Sequence, residues 1–264
     1  MSSLKCPLCQ ELLLQDKQEA YCKNNHHFDR SKVGYFNLHI SNKNNQGDNK
    51  AMIQSRDRFL NQGYYQFLVE QCIQLLEPYN VSSLIDVGCG QGYYTQAISE
   101  GLSIEKTLGI DLSKEAIIKA SKKSKKIQYV IASIAKCPVV DNEYEVLLNG
   151  FAPKFIDECL RLVKPNGYLL FIDVGTTHLM EMKQVLYSEV HPNQLEPIEH
   201  EKLVKIEEKQ VQSKATVIQD DLKDLLAMTP YQYKTKQGSI EKLLLLQKLD
   251  ITFEFVLRLY QKKG

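Results

Sequence analysis

Three cysteines and a histidine near the start of the chain are spaced for a metal. Two residues separate Cys6 from Cys9, twelve separate Cys9 from Cys22, and three separate Cys22 from His26. Two close pairs joined by a short hairpin match a tetrahedral zinc site of three thiolates and one imidazole. A site filled by four protein ligands is structural, because no coordination position stays open for chemistry. His27 competes with His26 as the fourth ligand, and His26 is favoured. One bound zinc would supply the folding energy that so small a piece cannot draw from its own core. The other cysteines, Cys72, Cys89, Cys137 and Cys159, read as small apolar fillers.

A second constellation is Ile85-Asp86-Val87-Gly88-Cys89-Gly90-Gln91-Gly92, an apolar strand running into glycines that open a helix. Glycines there let the chain turn sharply and let a ligand approach the backbone. The loop is one residue shorter than a dinucleotide fingerprint, whose helix start faces a pyrophosphate. Asp86, two residues before Gly88, would repel a pyrophosphate and is better matched to a cation. S-adenosylmethionine is such a ligand, with its ammonium and sulfonium groups. Asp111 ends the next strand, where a carboxylate can accept hydrogen bonds from both ribose hydroxyls. Ala132-Ser133 ends the strand after that, where an adenine edge is expected. From the residues alone, Asp86, Gly88, Gly90, Gly92 and Asp111 are the candidate cofactor contacts.

The elements that must position these groups follow from periodicity. Residues 1–40 read as short strands and turns of a zinc-binding module. Residues 41–62 read as a linker: 41–50 are entirely polar, and Met52–Leu60 has the pattern of a short helix. Residues 63–264 read as the catalytic domain. Within it, residues 64–77 form a helix stopped by Pro78. Strands are expected at Leu84–Val87, Thr107–Ile110, Gln128–Ala132, Val146–Leu148 and Tyr168–Val174. Helices are expected at Tyr93–Ser99, Lys114–Lys122 and Lys154–Val163, with Pro165-Asn166-Gly167 as a turn. This alternation implies a mostly parallel sheet covered on both faces. Asp220–Ala227 reads as a further helix, and Ile251–Tyr260 as a late antiparallel strand.

Composition excludes rather than identifies. With 43% hydrophobic and 25% charged residues the chain is an ordinary globular protein. No run reaches the roughly 20 apolar residues of a membrane span, and the first residues lack a signal peptide's apolar core, so the cytoplasm is expected. Clustered cysteines there point to metal rather than disulfides. A net charge of +1 means that any nucleic-acid face must be local. The lysines at 119, 122, 123, 125 and 126 read as the solvated end of a helix rather than an RNA site. Residues 1–60 carry nine Lys/Arg against six Asp/Glu, so the zinc module is the better RNA candidate. On that reading, deleting residues 1–40 removes RNA binding and leaves the cofactor bound.

The two constellations, in this order, resemble one family, the zinc-containing 23S rRNA (guanine-N1)-methyltransferases of bacteria. The shared stretches include Cys6-Pro7-Leu8-Cys9, His26-His27-Phe28-Asp29, Gly47-Asp48, Gly63-Tyr64-Tyr65, the loop from Asp86 to Thr95, Gly109-Ile110-Asp111-Leu112-Ser113-Lys114, Ala152-Pro153, His178-Leu179-Met180-Glu181 and Met228-Thr229-Pro230. The resemblance implies a Rossmann-like class I methyltransferase sheet with the small zinc module at its N-terminus. It implies methyl transfer from S-adenosylmethionine to N1 of one guanine in a hairpin loop of 23S rRNA, and dimerisation. It also implies cofactor contacts at Tyr65, Tyr94, Thr95 and His178. Two departures stand out: Gln91 replaces a glutamate, and Asn149-Gly150-Phe151 precedes Ala152-Pro153 near the expected base pocket.

Methyl transfer needs positioning above all, since the cofactor carries the activation. The proton on guanine N1 must leave, yet no residue stands out as its acceptor. His178 fits an orienting role better than a basic one. Asn149 is a candidate for bonding the guanine edge and Phe151 for stacking on an extruded base. Two other readings compete. One is a methyltransferase of a small molecule or protein whose zinc serves stability alone; the other is a cofactor-binding RNA module without catalysis.

Overall fold

A computed structural model describes residues 3–40 and 50–264. The polar stretch 41–49, with Gly47 and Asp48, lies outside the described residues.

Four short strands occupy the N-terminal region: β1 (Leu14–Gln15), β2 (Glu19–Tyr21), β3 (His27–Asp29) and β4 (Phe36–Asn37). Strands β1, β2 and β3 form an antiparallel sheet of their own. Helices α1 (Lys50–Asn61) and α2 (Gln66–Leu76) follow, and Pro78 ends α2 in a single 3₁₀ turn. The alternating part then runs β5 (Ser83–Val87), α3 (Tyr93–Gly101), β6 (Lys106–Asp111), α4 (Lys114–Lys123), β7 (Gln128–Ile131), β8 (Tyr144–Gly150), α5 (Ile156–Leu162) and β9 (Val163–Val174). It ends with α6 (Met180–Leu186), β10 (Leu203–Ile218), α7 (Gln219–Ala227), α8 (Tyr231–Lys234), α9 (Gln237–Leu244) and β11 (Lys248–Lys262).

The main sheet has the strand order β10-β11-β9-β8-β5-β6-β7-β4. Strands β4 to β9 pair parallel, and β11 and β10 pair antiparallel at one edge. All five residues of β5 are buried, as a central parallel strand covered on both faces must be. Strand order reverses beside β5, between β6 and β8. Ligands of open α/β sheets bind at the carboxyl ends of the strands at such a switch point.

Three differences from the sequence reading matter. First, the zinc module is not separate from the main sheet. β4 pairs with β7 as the eighth strand, with Phe36 opposite Val130. Leu4, Leu13, Phe36 and Leu38 share one apolar cluster with Ile85, Leu108 and Val130. Removing residues 1–40 would therefore strip one face and one edge of the main sheet, so that deletion cannot isolate RNA binding. Second, the short helix expected at Met52–Leu60 is present as α1, but it packs into the core through Ile53, Phe59 and Leu60 instead of serving as a linker. Third, two antiparallel strands are present rather than one. β10 is an edge strand, exposed over most of its length. Its second half does alternate, with Lys209, Val211, Ser213, Ala215 and Val217 turned inward and their neighbours exposed, but only Val211 and Val217 are large, buried and apolar, so the hydrophobic signal is weak.

Local details follow from residue type. Ser113 caps α4, its hydroxyl accepting from the Ala116 amide at 3.3 Å. The expected turn Pro165-Asn166-Gly167 is an excursion inside β9, between the pairs Tyr144–Val163 and Val146–Tyr168. The lysine run is mostly engaged within the fold. Lys119 and Lys123 pair with Asp57 of α1, and the Lys125 ammonium donates to the Val33 carbonyl of the zinc module. Among the described residues no helix is long and apolar enough to cross a membrane.

Candidate active site and zinc centre

The four ligand candidates converge. Cys6, Cys9, Cys22 and His26 place their ligand atoms within 4.8 Å of one another. The Cys9 and Cys22 sulfurs are 3.6 Å apart, and His26 Nδ1 lies 3.5 Å from Cys6 Sγ and 3.4 Å from Cys22 Sγ. A tetrahedron with ordinary zinc bonds has sulfur–sulfur edges of about 3.8 Å and sulfur–nitrogen edges of about 3.6 Å. The donor set and these three edges therefore fit one structural zinc. Backbone hydrogen bonding at Glu11 lowers the Cys9 thiol to about 6, which favours the thiolate that a metal needs. His27 turns away. Its Nδ1 lies 2.8 Å from Glu19 Oε2 and its Nε2 3.2 Å from Asn25 Oδ1. The choice between the two histidines thus falls to His26.

A cavity of about 700 Å³ opens at the carboxyl ends of β5, β6 and β7. That volume is typical of small-molecule sites. Its floor is the glycine loop. Gly88 has φ +87° and a Cβ there would stand 2.5 Å from the Ala152 Cβ, so the loop can lie this close only without a side chain. Gly90 has φ +53° with open space where a Cβ would go, which leaves the backbone bare to a ligand.

Of the candidate cofactor contacts, Tyr65, Gly88, Gly90, Tyr94, Asp111 and His178 line this cavity. Asp86, Gly92 and Thr95 do not. Asp86 is 3% exposed, and its carboxylate accepts the Thr95 hydroxyl at 2.5 Å. The pair ties the end of β5 to the first turn of α3 behind the loop. Burial, helped by the charge of Asp111 and opposed by the Thr95 bond, pushes the Asp86 carboxyl up to about 7. Asp86 is therefore a support of the loop rather than a wall of the site. Gly92 serves packing: a Cβ there would meet the Tyr129 hydroxyl at 2.6 Å.

Asp111 does reach the cavity. Its Oδ2 accepts from the Gly90 amide at 2.9 Å and its Oδ1 from the Ser113 amide at 2.7 Å. A carboxylate at this strand end is placed as ribose-binding carboxylates are in such folds. Ser133 also lines the cavity.

His178 is buried against Phe255, with ring centroids 4.6 Å apart. Its Nδ1 accepts from the Glu254 backbone amide at 3.2 Å. That bond leaves the ring proton on Nε2 as a donor. Burial lowers the imidazole to about 4, so it stays neutral near pH 7. The Glu254 carboxylate in turn accepts from the Thr177 hydroxyl at 2.7 Å, holding the loop that carries His178.

Other lining residues had no place among the cofactor candidates. Gln91 is 2% exposed, and neither its amide nitrogen nor its carbonyl oxygen has a hydrogen-bond partner. The buried hydroxyl of Tyr94, one of the candidates, has none either. Orphaned polar atoms on a cavity wall are expected where a polar ligand completes them. Arg56 reaches the cavity from α1. At the mouth, Phe151, Phe155 and Val174 are 45%, 42% and 36% exposed. Phe151 also holds φ +59°, a strained conformation for an aromatic residue. Asn149 is fully buried, its amide donating to the Pro153 carbonyl at 3.2 Å. It supports the loop after β8 and does not line the cavity.

Comparison with known proteins agrees with this geometry. Residues 4–44 match the family described as RlmA, N-terminal, a zinc ribbon. Residues 85–171 match the family described as methyltransferase domain. YxjB of Bacillus subtilis (strain 168), provisionally named a 23S rRNA (guanine-N(1)-)-methyltransferase, is 29% identical over 199 residues, covering 71% of this chain and 70% of that protein. The 23S rRNA (guanine(748)-N(1))-methyltransferase of Streptomyces fradiae is 27% identical over 188 residues, covering 69% of this chain and 67% of that protein. Among solved structures, YcgJ of Bacillus subtilis superposes with a TM-score of 0.50 at 14% identity, over 74% of this chain and 98% of that chain, a likeness of fold. The chain is an S-adenosylmethionine-dependent methyltransferase with an N-terminal zinc ribbon, similar over about 70% of its length to proteins named 23S rRNA (guanine-N1)-methyltransferases.

Proposed function

We propose that this enzyme methylates N1 of a single guanine in a hairpin loop of 23S rRNA. The observation that carries the reading is joint similarity: a zinc ribbon of the RlmA type precedes a methyltransferase domain in a chain similar to relatives named for that reaction.

S-adenosylmethionine, when bound, supplies an activated methyl group on its sulfonium. The chain's own residues do the rest. Asp111 accepts the ribose hydroxyls, and Ser133 meets the adenine edge. The orphaned Gln91 amide and Tyr94 hydroxyl take up polar atoms of the cofactor. His178 donates from Nε2, orienting the cofactor, and a ring already protonated there does not take the N1 proton. That proton leaves to water at the mouth. Phe151 offers its exposed face to an extruded base, with its ring centroid 5.6 Å from Phe255 and 5.9 Å from Tyr94. Base–aromatic stacking is tolerant and strong enough to hold a base at the mouth. Asp86, Gly92 and Thr95 act by holding the glycine loop.

The test is direct. Purified protein is incubated with labelled S-adenosylmethionine and protein-free 23S rRNA from a strain lacking the gene, and the label is mapped by nuclease digestion and mass spectrometry. N1-methylguanine at one position is the expected result. An unlabelled RNA, with cofactor binding intact, would overturn the reading. One observation favours the alternative of a small-molecule or protein substrate: the lysine run is largely consumed by contacts within the fold. RNA affinity that does not fall with salt would support that alternative.

A further inference from the structure

Helix α1 presents three consecutive side chains in three directions. Asp57 pairs with Lys119 of α4 at 2.7 Å and with Lys123. Arg58 makes a two-pronged pair with Asp224 of α7, at 2.5 and 2.7 Å. Arg56, just before them in sequence, lines the cofactor cavity, and its guanidinium donates to the Met228 carbonyl at 3.4 Å. The two adjoining ion pairs fasten α1 to α4 and to α7 and so restrict where residue 56 can point.

Among the described residues lining the cavity, Arg56 is the single lysine or arginine and Asp111 the single carboxylate. The two ends of the cavity differ in character. Asp111 and Ser133 follow β6 and β7 on one side of β5. Tyr65, His178 and Phe255 cluster on the other side, toward β9 and β11, with Tyr65 and Phe255 ring centroids 4.9 Å apart. Arg56 belongs to the second end. Burial raises both the Tyr65 and the Tyr94 hydroxyls, and the nearby Arg56 charge opposes that rise in each. A nucleoside held at Asp111 and Ser133 must send its amino-acid tail across β5 to this second end. The tail carries a carboxylate, and a carboxylate leaving water requires a counter-charge. His178 is neutral and Tyr94 is a phenol, so neither provides one. A guanidinium matches a carboxylate in both charge and geometry.

We propose that Arg56 is the carboxylate-binding residue of the cofactor site, holding the amino-acid end of S-adenosylmethionine beside the Tyr94 hydroxyl. This rests on cofactor binding and not on the RNA substrate. Calorimetric titration of the full chain tests it with two ligands: S-adenosylhomocysteine, and S-adenosyl-3-thiopropylamine, which keeps the ammonium and lacks only the carboxylate. The wild-type chain should prefer the carboxylate ligand by about tenfold or more, the size of a hydrogen-bonded charge contact. Arg56→Gln should weaken S-adenosylhomocysteine by about 10- to 50-fold and leave the amine ligand within about threefold. Arg56→Lys should fall between. Equal losses for both ligands would overturn the proposal in favour of a packing role for α1. Unchanged S-adenosylhomocysteine affinity in Arg56→Gln would overturn it outright. The wild-type preference needs no variant, so its absence overturns the proposal even where Arg56→Gln fails to fold. None of these titrations contains RNA, so their failure is separate from failure of the guanine reading.

Discussion

The zinc module and the β5–α3 region reach order by opposite means. In the module, four side chains within 4.8 Å of one another are the organising contact, and its strands are two or three residues long. Around β5, order comes from apolar burial on both faces, and the buried polar groups are a cost that the packing carries. The module leans on the sheet through Leu4 and Phe36, while the sheet takes an edge strand from the module. A small piece can thus be metal-dependent and still be continuous with a large core.

The largest expected effect strikes the module. Cys9→Ser, or chelation of the zinc, should release the metal and lower the melting temperature of the whole chain by about 10 °C, because the sheet loses the face and edge that the module covers. A melting temperature unchanged after verified zinc loss would mean that apolar packing alone holds the module.

Buried charge gives the next test, in the catalytic half. Asp86 sits at about 7, above its ordinary 3.8, and His178 at about 4, below its ordinary 6.5. Between these limits the folded Asp86 keeps a proton that the unfolded chain has lost, so stability falls as pH rises. Over much the same range the unfolded His178 holds a proton that the folded one lacks, so stability rises with pH. The two slopes oppose. His178→Asn should unmask the Asp86 slope and melt lower at pH 7 than at pH 4.5, relative to wild type. Asp86→Asn should do the reverse, each by on the order of 5 °C in cofactor-free protein. Parallel pH profiles for both variants would contradict the assignment.

A smaller effect separates the mouth from the cofactor floor. Phe151→Ala should lower kcat/KM on RNA by about 10- to 100-fold, the worth of one stacked base, with S-adenosylhomocysteine affinity within about twofold. A loss of cofactor affinity instead would make Phe151 part of the floor. The smallest effect returns to the module. His27→Ala removes only an exposed ring paired with Glu19, and should leave zinc content at one per chain with under about 1 kcal/mol lost. Zinc loss in that variant would reassign the fourth ligand.

Most of the alternating core was legible because its signals are local. The apolar strand before Gly88, Ser113 ahead of α4 and Pro78 after α2 act over a few residues, and each lies where its spacing put it. β10 was not legible, because its first half is exposed and the inward positions of its second half include Lys209, Ser213 and Ala215, which blunt the apolar alternation. Its strand state comes from pairing with β11, more than 30 residues away on average in the sequence. α1 was half legible: its helical period shows, but its role as a wall of the cavity depends on partners in α4 and α7.

The same division runs through the site. Sequence by itself determined the zinc ligands as a set and the glycine loop, since spacing along the chain governs what a hairpin or a strand–helix turn can bring together. It also determined Asp111, whose place at a strand end follows from the strand. Tertiary structure alone decided which way side chains face. It chose His26 over His27, put Asp86 and Thr95 behind the loop, and turned Arg56, Gln91, Phe151 and Phe155 toward the cavity. The reason is physical: backbone course is set largely by neighbours in sequence, whereas the direction and protonation of a side chain are set by whatever distant segment packs against it.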